Sequence, residues 1–330
     1  MNLYLTQMKK LLFFLLILCT YFNSKAQLDT EHWFAPMAAK TNTGATQSFL
    51  YLSTNEATPF SVQIYNNNTL FTTVQLSKGN PQQIAIPFSM MFAVGQTNLF
   101  TLNSMGLFVK GPKKFFANYR FSMNSHAEII TSKGAAGLGK NFFAAMAPLT
   151  GTGASINSTI GVIATEDNTT VVISNYNPGV IFSNNSSPAN FTIVLNKGQS
   201  YIIDAVSSTN QANTDGLIGT KIQADKAISV TNGNFNGIYT QQNFTNNDIL
   251  MDQSVPLERL GKDFVVVKGN GTVFSDMETA MILATEDNTT FSINGVSSGI
   301  VLNTGQYYMV PTSNYIDHGN DHYNLSISTT

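Results

Sequence analysis

The sequence predicts an all-β protein built of tandem β-sandwich-like modules. Strand-like runs rich in Val, Ile, Thr, Phe and Tyr are separated by Gly, Asn and Asp about every eight to twelve residues. No stretch carries a sustained helical period with caps, and short helical turns are compatible with the sequence around 87–95 and 257–260. The chain also repeats itself at about the length of one sandwich domain.

The repeat is carried by sequence blocks that recur in the same order. Three blocks occur twice: ATEDNTT (164–170 and 284–290), GLGKNF and RLGKDF (137–142 and 259–264), and IVLNKGQSY and IVLNTGQYY (193–201 and 300–308). A weaker third copy opens the chain, with blocks at 49–64, 74–86 and 106–119. Conserved order within one chain indicates a duplicated module.

Each block is interpreted as two strands around a turn. In 159–173, apolar runs flank the polar cluster Glu166-Asp167-Asn168, which predicts a β-hairpin. The pair Lys197-Gly198 interrupts 191–203 in the same way.

The predicted organisation is a signal peptide at 1–26, a divergent module at 27–133, a second module at 134–256 and an incomplete third at 257–330. The third copy stops about where the counterpart of 219–226 should begin. A missing strand would leave an open sheet edge, which proteins usually cover. We therefore expect the N-terminal part of a longer protein, or a truncated gene product.

The N-terminus predicts export. Lys9 and Lys10 precede an apolar run at 11–18, and Ser24-Lys25-Ala26 places small residues at a cleavage site after Ala26. The run is short for a permanent membrane helix, and a membrane anchor is the alternative interpretation. Cleavage removes the single Cys19 and three lysines, which leaves an exported chain of net charge −5 without disulfides. No later segment predicts a membrane span.

Composition excludes several classes of protein. The chain has 330 residues, 17 Lys and Arg against 19 Asp and Glu, and a formal charge of −2, so it lacks the basic surface of a nucleic-acid binder. Its 43% hydrophobic content argues against a disordered chain.

The best candidate for chemistry is DHGNDH at 317–322. Imidazole and carboxylate groups of Asp317, His318, Asp321 and His322 suit zinc or manganese. Gly319 and Asn320 instead predict a turn. In a turn, the spacing of the two histidines does not guarantee that their rings point to one site. An exposed loop is the favoured interpretation, and no metal ligand is assigned.

Other motifs are weaker. Glu166-Asp167 and Glu286-Asp287 resemble the paired carboxylates of glycosidases. Neighbouring residues on a strand point to opposite faces, however, and the place of these pairs in the repeat indicates an architectural role.

The oxygen-rich stretches 231–237 and 243–252 lack the spacing of an EF-hand calcium loop. The glycine-bearing 134–140 lacks phosphate-loop spacing, and no catalytic nucleophile motif occurs. No catalytic or cofactor-binding residue is assigned, and core packing is expected for Trp33.

The order GLGKxF, IATEDNTT, IVLNKGQxY and GTKIxADKAISV resembles the N-terminal domain of the IgGFc-binding protein family, over most of the chain from about Phe34. It is similar in particular to copies in large exported proteins of gliding Bacteroidetes. The resemblance implies an extracellular β-rich repeat domain of adhesive or mucus-like proteins, named after an animal member that binds immunoglobulin Fc. It offers no catalytic motif.

Three functions follow, and the first is favoured. The first is a non-enzymatic secreted or cell-surface adhesion module of β repeats that binds an extracellular protein or glycan. The second is a carbohydrate-binding accessory region of a longer secreted enzyme, which needs an exposed aromatic row that the sequence does not locate; Tyr239, Tyr307 and Tyr308 would contribute to sugar stacking. The third is a secreted hydrolase, which needs convergent carboxylates or a metal site.

Overall fold

The computed structural model describes residues 27–39, 45–123, 126–207, 210–239, 247–269 and 278–330. The predicted signal peptide lies outside these residues. Nearly all regular structure in the described ranges is β-strand, which confirms the predicted all-β class. Short 3-10 helices at Phe88–Met90 and Leu257–Arg259 confirm the two predicted helical turns.

The strands form three consecutive units. The first contains β1 (Asp29–Phe34), β2 (Met37–Ala39), β3 (Ala45–Ser53), β4 (Phe60–Asn66), β5 (Thr69–Leu76), β6 (Gln82–Ala85), the helix η1 (Phe88–Met90), β7 (Phe92–Val94), β8 (Leu107–Met123) and β9 (His126–Thr131). The second contains η2 (Gly134–Gly137), β10 (Gly139–Phe143), β11 (Asn157–Ala164), β12 (Thr169–Ser174), β13 (Asn190–Leu195), β14 (Ser200–Val206), η3 (Gln211–Asn213), β15 (Lys221–Gly237) and β16 (Asp248–Gln253).

The third unit is shorter. It contains η4 (Leu257–Arg259), β17 (Asp263–Val267), β18 (Met281–Leu283), β19 (Thr289–Ile293), β20 (Val296–Leu302), β21 (Tyr307–Met309), η5 (Thr312–Asn314), β22 (Ile316–Asp317) and β23 (Tyr323–Thr329).

The first two units share one strand order. The first sheet runs β5-β4-β8-β3-β6, with β1 and β9 also paired to the long strand β8. The second runs β13-β12-β15-β11-β14, with β10 and β16 paired to the long strand β15. The third has the corresponding order β17-β23-β19-β20, and its β18 and β21 form a separate pair. The residues at which one module ends and the next begins stay a prediction.

The predicted hairpins around the repeated turns are wrong. Strands β11 and β12 do not pair with each other, because both run antiparallel to β15, with Ala164 opposite Ile228 and Val171 opposite Ala224. Strands β13 and β14 likewise pair with β12 and β11. Turn residues show where a strand stops but not which partner it takes, and one 17-residue strand provides partners for both segments.

Each unit has its own hydrophobic core, and the third is the smallest. Twenty described residues form the buried cluster of the second unit and seven form that of the third. Part of the difference lies in the connection after the second strand of the repeat. Residues 175–189 add Tyr176, Val180 and Phe182 to the second core, whereas Asn294-Gly295 closes a tight β19–β20 hairpin in the third.

Candidate interaction surface

The repeated Glu-Asp-Asn motif forms a clasp between two turns. Asp167 Oδ1 accepts a hydrogen bond from the Lys197 N–H (3.0 Å). Asn196 Oδ1 accepts one from the Asn168 N–H (3.1 Å), and Asn168 has the left-handed φ of 53° that Asn tolerates. One turn joins β11 to β12 and the other joins β13 to β14. Both connections carry the chain from one side of the long strand β15 to the other, so the motif holds the two connections together.

The third unit repeats this clasp. Asp287 Oδ1 accepts from the Thr304 N–H (2.9 Å), and Asn303 Oδ1 accepts from the Asn288 N–H (3.2 Å). The backbone hydrogen bond from Thr304 lowers the pKa of Asp287. Glu286 contributes its backbone carbonyl, which accepts from the Thr289 hydroxyl (2.8 Å). The Asp carboxylates of the two pairs therefore hold turns together, whereas the Glu residues take part through their backbone carbonyls.

The DHGNDH segment is the exposed turn between β22 and β23. The His318 N–H donates to the His322 carbonyl (2.8 Å), and Asp317 Oδ1 accepts from the Gly319 N–H (2.7 Å). Both imidazoles are exposed. In the described ranges, no three His, Cys, Asp or Glu side chains come together in a way that suits a metal ion.

The glycine-bearing stretch 134–140 links the first two units. The Ala135 N–H donates to Asp29 Oδ2 (2.8 Å), so η2 packs against β1. The link to the third unit repeats this arrangement, because Glu258 of η4 accepts from the side chain of Asn141 on β10 (2.9 Å).

The two oxygen-rich stretches lie mainly in strands. Residues 231–237 form the end of β15 and 248–252 lie in β16, whereas 243–246 fall outside the described residues. The side chains of Asn232 and Asn234 are buried and donate to Ser254 and Ser158. These stretches belong to the interior of the fold and not to exposed loops.

The aromatic residues named as sugar-stacking candidates do not form a shared platform. The Tyr307 hydroxyl donates to Asp215 Oδ2 (3.0 Å), and burial together with this carboxylate raises the pKa of Tyr307 to about 12. Tyr308 packs on the third core, and Tyr239 lines a cavity. Trp33 is 2% exposed and stacks on Phe108 at 4.1 Å, which confirms the predicted core role.

The first unit docks on one face of the second. This docking face consists of the outer side chains of β11, β14, β15 and β16: Thr159, Gly161, Ile163, Ile202, Ser229, Thr231, Met251 and Gln253. Gln253 Nε2 donates to the Trp33 carbonyl (2.9 Å), and the Thr231 hydroxyl donates to the Ala35 carbonyl (3.2 Å). A methyl group on Gly161 would lie 1.8 Å from the Pro36 carbonyl oxygen, so only glycine permits this backbone approach.

The second unit also packs on the corresponding face of the third, where Met281, Leu283 and Tyr307 contact the second core. The position of Gly161 is taken by Met281, which pairs with Met309 as Gly161 pairs with Ile202. A cavity of about 310 Å³ remains between the units. Its lining residues are Ala145, Met146, Ala147, Pro148, Tyr239, Leu250, Thr279, Met281 and Met309.

The same face of the first unit is open to solvent. Tyr51 of β3 takes the position of Gly161 of β11. Tyr51 pairs with Gln83 and Asn118 on the two neighbouring strands. On the corresponding strands of the second unit, Gly161 pairs with Ile202 and Thr231. The Arg120 guanidinium lies 4.5 Å from the centre of the Tyr51 ring.

Phe49 and Ile129 extend this surface on either side of Arg120 in the sheet. Ile129 is 48% exposed, and the Phe49 and Tyr51 rings are half-buried. We call Phe49, Tyr51, Arg120 and Ile129 the open docking face. Sequence reasoning does not find this face, because its four residues come from three strands that only the sheet register brings together.

Comparison with known proteins places the chain in a family. The sequence profile of the IgGFc binding protein family matches residues 127–325, well over half of the chain. The chain belongs to the IgGFc binding protein family. The predicted resemblance is therefore confirmed, and family membership indicates a protein-binding extracellular module. The match covers the second and third units, and the first unit, mostly outside it, shows the same strand order.

No curated protein and no solved structure matches the chain. Within the described residues, no helix has the length and apolar character needed to cross a membrane.

Proposed function

We propose that this chain is an exported, non-enzymatic interaction module that binds an extracellular protein through the open docking face of its first unit. Family membership supports the binding role, and the predicted cleavage site after Ala26 supports export to the medium or the cell surface. The three modules, with the predicted boundaries 27–133, 134–256 and 257–330, act as a scaffold that presents this face.

One observation carries the choice of surface. The face that buries a neighbouring unit on the second unit is exposed on the first, where it carries Phe49, Tyr51, Arg120 and Ile129. Aromatic residues and Arg are enriched in the cores of protein interfaces, and they supply most binding hot spots. The stacked Arg120 side chain holds a positive charge in the centre of an apolar patch, which favours a partner with an acidic group opposite it.

A carbohydrate-binding role is the alternative. The Phe49 and Tyr51 ring centres are 6.2 Å apart, but their planes meet at 63°, so the two rings do not form one flat platform. This geometry favours a protein partner over a glycan. No step of a chemical reaction is assigned to any residue.

The proposal is tested by binding the chain from Gln27 to arrays of extracellular proteins, immunoglobulin Fc included, and of glycans. We expect saturable binding to a protein, weakened at least tenfold in the double variant Tyr51→Ala, Arg120→Ala. Phe71→Ala is the matched control, because it removes an exposed aromatic ring from β5 outside the open docking face. Binding that the double variant leaves intact would contradict the assigned surface, and binding to glycans alone would establish the alternative.

A further inference from the structure

The open docking face differs from the covered face of the second unit at its centre. The three central positions of the covered face hold small residues: Thr159, Gly161 and Gly233. The corresponding positions of the first unit hold long side chains: Phe49, Tyr51 and Arg120. The small residues admit a neighbouring backbone, as the approach of Pro36 to Gly161 shows. The long side chains keep a backbone at a distance, so the open docking face is built to contact the side chains of a partner.

The Arg120 guanidinium is held in place before any partner arrives. Its Nε–H donates to Oδ1 of Asn118 (2.8 Å), which lies two residues earlier on the same face of β8. Its central carbon lies 4.5 Å from the centre of the Tyr51 ring. Within the described ranges, no hydrogen bond or ion pair involves the two terminal nitrogens of this side chain. The guanidinium therefore presents a fixed fork of N–H donors, and a fixed fork loses little conformational entropy on binding.

Apolar side chains flank this fork. Phe49 and Ile129 lie directly opposite Arg120 on the two neighbouring strands, so their Cβ atoms are about 5 Å away. A partner that covers the surface removes water from the guanidinium, and a buried charge is costly unless it is paired. Among the groups of an unmodified protein, a carboxylate is the anion that accepts from both terminal nitrogens of an arginine at once.

The covered face shows how a carboxylate reaches this position. An internal, extended segment crosses that face, where the Trp33 and Ala35 carbonyls accept hydrogen bonds from side chains of the second unit. Strand β2 continues this segment against β11 and β14. A segment that crosses in mid-chain brings a carboxylate as an Asp or Glu side chain and not as a chain terminus. Since alternate residues of an extended segment point the same way, the side chains two positions before and after the acid reach Phe49 and Ile129.

We propose that the open docking face recognises an acidic side chain set between apolar residues in an extended segment of the partner protein. Arg120 binds the carboxylate through both terminal nitrogens, and Phe49 and Ile129 contact the apolar side chains. Tyr51 and Asn118 position the guanidinium. Recognition of this kind rests on the proposed function, because it takes place on the same face.

The probe is the blocked peptide acetyl-Val-Thr-Asp-Thr-Val-amide, titrated into the chain from Gln27 with isotope-labelled arginine. Arg120 and Arg259 are the only arginines of the sequence, so their two Nε–H signals in the NMR spectrum report on binding. We expect the Arg120 signal to shift saturably and the Arg259 signal to stay in place. The same peptide with Asn in place of Asp should bind at least tenfold more weakly. Equal binding of the two peptides, or no shift of the Arg120 signal, would overturn the proposal.

A third peptide tests the source of the carboxylate. It has Asn in place of Asp and a free C-terminal carboxylate. We expect it to bind as weakly as the blocked Asn peptide. Binding as tight as that of the Asp peptide would overturn the assignment to an acidic side chain.

Two protein variants test the geometry, with the backbone amide signals of Phe49 and Ile129 as the readout of peptide binding. Arg120→Lys keeps the positive charge but loses the fork, and should reduce the preference for the Asp peptide to less than about threefold. Asn118→Asp places a competing carboxylate beside the guanidinium and should weaken binding of the Asp peptide at least tenfold. Arg259→Lys is the matched control, because it makes the same substitution in η4, outside the open docking face. A tenfold preference that survives Arg120→Lys would contradict the proposed pairing.

The array of extracellular proteins separates acidic recognition from the proposed function. We expect Arg120→Lys and Asn118→Asp to lose protein binding together with the double variant Tyr51→Ala, Arg120→Ala. Loss in the double variant with full binding in the other two would keep the open docking face and overturn acidic recognition. Binding that all of these variants leave intact would overturn both.

Discussion

The first and second units meet in a closed interface, whereas an open cavity of about 310 Å³ lies between the second and third units. Both contacts use the same face of the receiving unit. At the first contact, Gly161 admits the carbonyl of Pro36, and Gln253 bonds to the Trp33 carbonyl. At the second, Met281 stands in place of the glycine. The second contact has its close backbone approach elsewhere, where a methyl group on Gly219 would lie 2.2 Å from the Gly305 carbonyl oxygen, so the two contacts use one face with different points of closest approach.

The largest effect is expected from Gly161→Ala. The added methyl group meets a carbonyl oxygen that cannot move without separating the units, so the free energy of unfolding should fall by about 3 kcal/mol or more. Met281→Ala is the matched variant at the second contact and should cost about 1 kcal/mol or less, since its side chain already borders a cavity. Denaturant unfolding of both proteins measures the difference, and equal losses would refute the contrast.

A smaller effect is expected from Gln253→Ala. This side chain is 2% exposed; its Nε2 donates to the Trp33 carbonyl, and its Oε1 accepts from the Lys133 N–H (2.7 Å). Truncation leaves buried backbone groups without partners, which should cost about 2 kcal/mol. Gln223→Ala, which loses one partly buried side-chain bond to Asn141, is the control. If both variants unfold at the same denaturant concentration, these bonds do not hold the closed interface.

The smallest effect concerns pH and compares the first strands of two units. His32 on β1 occupies the place of Phe142 on β10. His32 pairs with Val109 of β8, and Phe142 pairs with Ile222 at the corresponding position of β15. The buried ring donates through Nε2 to the Phe115 carbonyl, and burial lowers the pKa of His32. The unfolded chain therefore binds a proton more readily, so stability should decline as the pH falls below about 6.5.

His32→Phe copies the second unit and tests this origin. The variant should lose the decline in thermal stability between pH 7.5 and pH 5.5 that the unchanged chain shows. A decline that persists in the variant would assign the effect to other groups.

The sequence predicted the all-β class, the two short helical turns and the buried position of Trp33, because period-2 apolar patterns and turn residues are local signals. The same signals failed on strand pairing. ATEDNTT shows that β11 ends and β12 begins, but β15, which lies between them, is about sixty residues further along the chain. Nothing local encodes that arrangement.

The candidate surface was beyond sequence reasoning for a related reason. Phe49, Tyr51, Arg120 and Ile129 are ordinary strand residues one by one, and only the sheet register brings them together. Their significance comes from comparison with the covered faces of the other two units. The repeated Asp167 and Asp287, by contrast, have the architectural role that the repeat predicts, since the clasp that they form is local to two turns.

The central claim is that, in the part of the chain that the structure describes, β11 has a strand on each edge, whereas β18 has one on the β21 edge alone. Hydrogen exchange of the whole chain tests it most directly, by comparing the amides of Gly161 and Ile163 with those of Met281 and Leu283. The account predicts slow exchange for the first pair and fast exchange for the second, with Ile282 and Ala284 slow on the bonded side of β18. Equal protection of the two pairs would contradict it.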